Sequence, residues 1–297
     1  MRALVFGGSG FIGRHVCSAL REHAEIDDVQ TPGHAQCDLL DGGPDDLTGL
    51  LAAERPDIVI NCTGKLSGSV YELVQANTVV TAKLIEAVGT ATPEARLIRL
   101  GSAGEYGVVQ RPHAANEDDP ARPVSAYGAS HLAGTNLMQI AAAAGDIDGV
   151  VLRVFNPIGA GLHQENMLGR AVELIKAALR DGADHIDMGP LSAWRDFVDV
   201  RDLAAAVCAA ALAPTLPVRV FNAASGIAVP SRHVLELLAT TAGFTGEIRE
   251  NAPAPSRSAA VDWMCGDISL AESVLHWSPT HDLSEAIKAV WSGVDDH

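Results

Sequence analysis

The chain has 297 residues, of which 47% are hydrophobic and 20% charged, so it can bury a full core as one large domain or as one domain with a smaller lobe. Its formal charge of -16 argues against a nucleic-acid partner, because phosphate backbones require a cationic face. The sequence contains no apolar run of about 20 residues that would span a membrane, and its five cysteines are too scattered for a zinc site or a disulfide framework, so we expect a cytoplasmic protein without a metal.

A glycine-rich turn follows the first apolar run of the chain. Residues 3–6 are apolar, and Gly7, Gly10 and Gly13 then recur at a spacing of three before a stretch that is compatible with a helix. This order predicts a buried strand, a tight turn and a helix whose first N–H groups face a pyrophosphate. Because the same turn would also suit a connection that binds nothing, the later motifs decide between the two interpretations.

Strands and helices alternate along the rest of the chain. This alternation is typical of a doubly wound α/β fold with a parallel sheet and right-handed crossovers. Further strands are predicted at 58–60, 97–100 and 150–155, and helices at 71–88, 125–144, 167–180, 231–242 and 284–291.

The region after the second strand bears on the cofactor. We expect that strand at 25–29 and a third at 35–39, on either side of a Pro-Gly turn. In dinucleotide-binding folds an acidic residue at the end of the second strand binds the adenosine 2′-hydroxyl, and residues 30–34 contain none here. NADP(H) is therefore favoured, with NAD(H) as the alternative, and Arg14 and His34 are the candidates to meet a 2′-phosphate.

Polar residues follow two of the later strands. Thr63 comes soon after the strand at 58–60, and Ser102 ends the strand that begins at 97. Because the carboxyl ends of parallel strands meet at one edge of a sheet, we expect these hydroxyls to lie in the same cleft. Tyr127 and His131 are four residues apart on a predicted helix, so a phenol and an imidazole share one helix face there.

Five stretches of the chain form one combined pattern. They are the glycine turn at 7–13, Ser102 four residues before Tyr106, Tyr127 with a partner four residues later, residues 153–159 and residues 195–199. Together they resemble the extended short-chain dehydrogenase/reductases, the NAD-dependent epimerase/dehydratase family. Within that family, residues 100–107 and 195–202 look most like the GDP-4-keto-6-deoxymannose reductases and related nucleotide-sugar enzymes. The resemblance covers nearly the whole chain and implies a Rossmann sheet with a smaller C-terminal substrate lobe.

The resemblance implies roles for individual residues. Ser102 would orient the substrate carbonyl and Tyr127 would protonate the new alkoxide, with His131 as the third catalytic residue. Asn156 and Arg195 would bind the substrate together with Ser102. The residues implied to hold the cofactor are Gly7, Gly10, Phe11, Ile12, Gly13, Arg14, Asp38, Leu39, Thr63, Gly64, Tyr127, His131, Asn156 and Pro157. A homodimer is left open as the assembly.

Three departures from the family's pattern shape the functional prediction. The family's lysine four residues after the tyrosine is His131 here, and a neutral imidazole stabilises tyrosinate only weakly, which favours reduction over oxidation. Ala103 and Gly104 replace the acidic pair with which the family's dehydratases eliminate water, so dehydration is not expected. Of the two arginines that commonly bind a substrate pyrophosphate, Arg195 is in place, whereas an alanine occupies the position that best matches the second. Either Arg257, three residues away, replaces the second arginine or the substrate carries no pyrophosphate.

The sequence therefore predicts a ketoreductase that uses a reduced nicotinamide cofactor. Its small-molecule substrate would be the ketone of a nucleotide 4-keto-6-deoxy sugar or of a polyketide-type secondary metabolite. A nucleotide-sugar epimerase and a non-catalytic dinucleotide-binding regulator are the alternatives. The predicted nucleotide-binding domain comprises residues 1–158 and 191–227, and the discontinuous substrate-binding lobe comprises residues 159–190 and 228–297.

Overall fold

The structure, a computed structural model, describes residues 1–253 and 261–293. Its strands are β1 (Arg2–Phe6), β2 (Asp28–Gln30), β3 (Ile58–Asn61), β4 (Arg96–Ser102), β5 (Asp148–Val154), β6 (Asn156–Ile158), β7 (His185–Asp187), β8 (Trp194–Asp199), β9 (Val220–Ala223), β10 (Ala228–Pro230) and β11 (Glu247–Arg249). Its α-helices are α1 (Phe11–Glu22), α2 (Pro44–Glu54), α3 (Val70–Val74), α4 (Val80–Ala91), α5 (Ala126–Ala144), α6 (Met167–Asp181), α7 (Val200–Leu212), α8 (Ser231–Thr241), α9 (Ser269–Leu275) and α10 (Leu283–Ser292).

A six-stranded parallel sheet in the order β2-β1-β3-β4-β5-β9 forms the centre of the fold. Its inner strands are buried on both faces, which explains why they are nearly continuous apolar runs in the sequence. The chain leaves β1 towards β2 and then crosses back to β3, so the strand order reverses between β1 and β3. Open α/β sheets bind ligands outside the carboxyl ends of the strands at such a reversal. The predicted doubly wound parallel fold is confirmed.

Helices cover both faces of this sheet. On one face α1 and α7 pack together, with Val16, Leu20 and Leu203 fully buried against the strands. On the other face α2, α4 and α5 form a second apolar layer that includes Leu51 and Leu84. Within residues 1–253 and 261–293, no helix combines the length and apolarity that crossing a membrane requires.

A smaller lobe lies beyond β5. In it β8 pairs with β6 and β10, β7 pairs with β11, and helices α6, α8 and α10 share an apolar cluster that includes Ile175, Leu235 and Ile287. The predicted helices at 167–180, 231–242 and 284–291 are confirmed to within two residues. The division into two domains stays a prediction, and α9, which it assigns to the lobe, packs against α7 and β9 of the central sheet.

The predicted third strand at 35–39 is wrong. Residues 31–43, all of them described, form turns, in which Gln36 N donates to Gly33 O and Gly42 N donates to Asp38 O. Cys37 and Leu39 are nevertheless both buried against α2. The alternation of buried and exposed residues that resembles a strand is therefore produced by consecutive turns. The second strand is β2, which lies further along the chain than the predicted 25–29.

The five cysteines, all within the described residues, are free thiols. Four are buried, and Cys62 is partly buried at the end of β3. Burial raises the pKa of every one of them, to about 11 for Cys208 and Cys265. The thiols are therefore held in the protonated form throughout the chain.

Candidate active site

The glycine turn places the start of α1 directly against β1. Gly7 has a φ of +74° and its carbonyl accepts from Gly10 N at 3.0 Å. A Cβ on Gly13 would lie 2.0 Å from Gly7 O, so only glycine allows this approach. Among the described residues no side chain caps α1, and its first turn carries no acidic residue. Its first N–H groups are therefore available to an anion, and the turn fits the pyrophosphate of a dinucleotide.

This geometry makes Gly13→Ala a specific test of the turn. Because the new methyl would overlap Gly7 O, the helix must shift away from the strand, at a cost of about 1 to 3 kcal/mol. We expect the Kd for NADPH or NADH, measured by calorimetric titration, to rise about tenfold or more. The matched control is Gly49→Ala in α2, where a Cβ meets no described atom within 4 Å and binding should be unchanged. Equal affinities in the two variants would exclude the turn as the phosphate site.

The loop after β3 is fixed by two buried asparagines. Asn61 Oδ1 accepts from Thr63 N at 3.0 Å and from Thr63 Oγ1 at 2.6 Å. Asn77 Oδ1 accepts from Lys65 N at 2.9 Å, and Asn77 Nδ2 donates to Lys65 O and to Ser130 Oγ. Because Ser130 lies on α5, Asn77 ties the predicted cofactor residues of this loop to the helix that carries Tyr127.

Asn77 belongs to a five-residue π-helical segment, Gln75–Val79, between α3 and α4. Such segments occur frequently at functional sites. The single helix predicted at 71–88 spans this segment but not its π-helical conformation, because an apolar periodicity does not reveal one extra residue in a turn. A buried asparagine inside an apolar helix was the available signal.

Ser102 and Tyr127 come together at the carboxyl edge of the sheet. Ser102 ends β4, and its Oγ accepts from Gly104 N at 3.1 Å. Tyr127 lies in the first turn of α5, which Ser125 caps by accepting from Gly128 N. A Cβ on Gly104 would lie 3.3 Å from Ser102 Oγ and 3.4 Å from two carbons of the Tyr127 ring, so the hydroxyl and the ring approach one point. This arrangement is compatible with the joint action on one carbonyl that the resemblance implies for the two residues, and their roles stay predictions.

His131 is buried directly behind Tyr127. The two ring centroids are 4.6 Å apart, and His131 Nδ1 lies 3.3 Å from Arg99 Nη2. Burial, aided by the Arg99 charge, lowers the pKa of His131 well below its ordinary value. A guanidinium is a donor only, so Nδ1 is the acceptor and the proton of the neutral ring is on Nε2.

Three buried charges lie beneath these residues. Glu105 Oε2 accepts from Arg153 Nε at 3.0 Å, and Glu105 Oε1 lies 4.0 Å from Arg99 Nη1. Glu105 Oε1 also accepts from Ser102 N and from Thr135 Oγ1, which explains its burial in the 3-10 turn Ala103–Glu105. Neither arginine was assigned a role from the sequence, although a charge within a buried strand signals a specific partner.

The remaining predicted residues occupy several places. Asn156 Nδ2 donates to Asp196 O at 2.7 Å, which joins Asn156 to β8, the strand of Arg195. Arg195 Nη1 donates to Trp194 O and Arg195 Nη2 to Val261 O. Asp38 accepts from Leu40 N and Asp41 N within its turn. Arg257, the candidate for a second pyrophosphate contact, lies outside the described residues.

Arg14 and His34 are not brought together. Arg14 Nη2 donates to Ala160 O at 2.7 Å, so its guanidinium is directed to the loop after β6. His34 lies in the turns after β2, where its Nδ1 is 3.9 Å from Asp38 Oδ2. Both residues remain predicted cofactor contacts.

Comparison with known proteins defines the class. Residues 3–224 match the model of the NAD dependent epimerase/dehydratase family, and the chain belongs to this family. It is 38% identical to dTDP-6-deoxy-L-talose 4-dehydrogenase (NAD(P)(+)) of Kitasatospora kifunensis, over 98% of this chain and 95% of the relative. It is 28% identical to GDP-6-deoxy-D-mannose reductase of Pseudomonas aeruginosa, over 98% and 96%. The structure of RMD from Pseudomonas aeruginosa complexed with NADPH matches with a TM-score of 0.86 and 26% identity, over 98% of both chains.

These matches confirm the predicted family, the resemblance to deoxysugar reductases and the class of nicotinamide-dependent oxidoreductase. They leave the roles of the individual side chains as predictions, which the geometry of the site supports to different degrees.

Proposed function

We propose that this protein is an NAD(P)H-dependent ketoreductase that reduces the 4-ketone of a nucleotide-linked 6-deoxyhexose to an alcohol. The observation that carries the proposal is the approach of the Ser102 hydroxyl and the Tyr127 ring to one point at the carboxyl edge of the sheet. The names of the two relatives, both of which concern 6-deoxy sugars, favour a nucleotide sugar over a polyketide-type ketone.

The side chains of the site supply the proton chemistry. When bound, the reduced nicotinamide supplies the hydride. Ser102 donates a hydrogen bond to the ketone oxygen, and Tyr127 transfers its phenolic proton to that oxygen as negative charge develops on it. His131, with its proton on Nε2, donates to the cofactor ribose. The glycine turn holds the pyrophosphate, and Asn156 and Arg195 bind the substrate.

The direct test is consumption of NADPH and of NADH by the protein with dTDP- and GDP-linked 4-keto-6-deoxyhexoses and with a polycyclic ketone. We expect turnover with a nucleotide sugar, and faster turnover with NADPH because residues 31–37, directly after β2, contain no acidic residue that would repel a 2′-phosphate. Conversion of a sugar nucleotide without net consumption of cofactor would identify an epimerase. Cofactor binding with no turnover of any ketone would identify a regulator.

The buried imidazole sets the pH dependence of reduction. Because the pKa of His131 lies well below its ordinary value, the ring is neutral across the neutral range. We expect kcat for reduction to be flat between about pH 6 and 8, without a step near 6.5, and to fall at higher pH as the phenol loses its proton. The measurement is a pH–rate profile with saturating cofactor and ketone. A step near 6.5 that disappears in His131→Gln would contradict it.

We infer further that the protein is a cytoplasmic homodimer. The support for a dimer is a set of exposed apolar side chains on the adjacent helices α3 and α5, in which Tyr71 is 72% and Ile140 is 66% exposed. Protonated, unpaired thiols suit a reducing compartment. Sedimentation should give a dimer that Ile140→Glu converts to a monomer, whereas a monomeric parent would exclude this assembly.

A further inference from the structure

We propose that Arg99 is a positioning residue that acts through His131: it orients the imidazole and holds a fixed positive charge behind the Tyr127 phenol, which stabilises the phenolate. The role of Tyr127 as proton donor rests on the function proposed above, whereas the electrostatic effect of Arg99 on the phenol does not.

The guanidinium of Arg99 is held by three other elements. Arg99 Nε donates to Thr81 Oγ1 at 3.0 Å, Nη1 donates to Thr135 Oγ1 at 3.2 Å, and Nη2 donates to Asn77 O at 3.2 Å. These partners lie on α4, α5 and the π-helical segment, and Arg99 is 2% exposed. The group that meets His131 Nδ1 is therefore fixed in position.

Helix α5 is shaped to admit this guanidinium. A Cβ on Gly134 would lie 2.6 Å from Arg99 Nη2 and 2.8 Å from Arg99 Cζ. Gly134 is three residues beyond His131, in the interior of a 19-residue helix, where glycine is destabilising relative to alanine. The space for the charge is thus built into the same helix that carries the phenol and the imidazole.

The charge of Arg99 is not cancelled by its neighbours. The carboxylate of Glu105 is bonded directly to Arg153, from β5, and lies 4.0 Å from Arg99, so the buried trio carries a net charge of one. On α5 itself His131 is neutral. On α3, which packs against α5, the carboxylate of Glu72 is paired with Lys65.

The consequence is a net positive field at Tyr127 from the described side chains. Arg99 and the Tyr127 phenolate attract one another across the His131 ring. Because the guanidinium is buried, this attraction is screened less than one at the surface. A permanent cation thus lies behind the imidazole, and it adds to the effect of burial, which is the larger cause of the lowered pKa of His131.

The test is a direct titration of the phenol, without cofactor or ketone. The chain has three tyrosines, so protein labelled with ¹³C at the tyrosine Cζ gives three signals, which Tyr→Phe variants assign. Burial raises the pKa of Tyr106 to about 12, which separates its titration from that of Tyr127, and Tyr71→Phe assigns the signal of the third tyrosine. We expect Tyr127 to titrate below the ordinary phenol range near about 10, and Arg99→Met to move this titration upward by about one pH unit or more.

The matched control is Arg96→Met at the other end of β4, where the arginine pairs with Asp148. It should leave the Tyr127 titration in place, and the double variant Arg99→Met with His131→Lys should restore it by returning a cation to the site. An unchanged titration in folded Arg99→Met overturns the proposal. If Arg99→Met does not fold, the titration of Tyr127 in the unsubstituted protein is the test. A pKa of Tyr127 at or above about 10 in that protein also overturns the proposal. A shifted titration in a protein that reduces no keto sugar supports this proposal and refutes the proposed function.

Discussion

Turnover in Tyr127→Phe is expected to fall by about 10² to 10⁴, the range for loss of a positioned general acid. The phenyl ring can keep the packing of the tyrosine ring against His131, while the hydroxyl that carries the transferable proton is removed. The Kd for NADPH should therefore stay within about twofold of the parent value, which corresponds to less than 1 kcal/mol. The measurement combines steady-state kinetics of ketone reduction with a cofactor titration.

The control for this substitution is Tyr71→Phe, which removes the same oxygen from an exposed side chain on α3. It should leave both kcat and cofactor affinity unchanged. If Tyr127→Phe turned over at the parent rate, the proton would have to come from water or from a hydroxyl of the substrate, and the assignment of Tyr127 as donor would be wrong.

Glu105→Gln is expected to lower the free energy of unfolding by about 3 to 5 kcal/mol, because it leaves two buried guanidinium groups without their carboxylate. The amide keeps the volume and one acceptor for Ser102 N, so the loss is one of charge rather than of packing. Chemical denaturation followed by circular dichroism gives the difference between variant and parent.

Glu72→Gln is the matched control, since this glutamate pairs with Lys65 at the surface, and exposed ion pairs contribute little to stability. A Glu105→Gln protein as stable as the control would mean that water reaches the two arginines and that the trio is not a buried charge cluster. That result would also remove the basis for a weakly screened Arg99 charge.

The central sheet could be predicted from the sequence because its strands are buried on both faces. The runs at 58–60 and 97–100 lie in β3 and β4, and the run at 150–155 lies in β5 except for its last residue. The helix predicted at 125–144 is α5 with Ser125 as its cap. The spacing of four between Tyr127 and His131 then places both rings together, which the 4.6 Å between their centroids bears out.

The rest could not be predicted, for identifiable reasons. Burial of Cys37 and Leu39 follows the period of a strand, but their backbone bonds close turns instead of pairing with β2. Arg99 stands inside an apolar run, and which groups it meets depends on contacts with α4, α5 and the π-helical segment that are distant in the chain. A sequence motif therefore identifies the side chains that contact the substrate, but it does not identify the residues that fix those side chains in position.

Because the pKa values of the five thiols are raised in the folded protein, the rates at which these thiols are alkylated report local unfolding. A thiolate is the form that reacts with alkylating and disulfide reagents, so thiols held in the protonated form by burial are poor nucleophiles while the chain is folded. Each becomes reactive when the segment that covers it opens. Cys62 directly follows β3, beside the predicted cofactor loop, whereas Cys265 contacts Asp196 on β8. The separate alkylation rates of these two cysteines therefore report the local opening of the two regions without any introduced label.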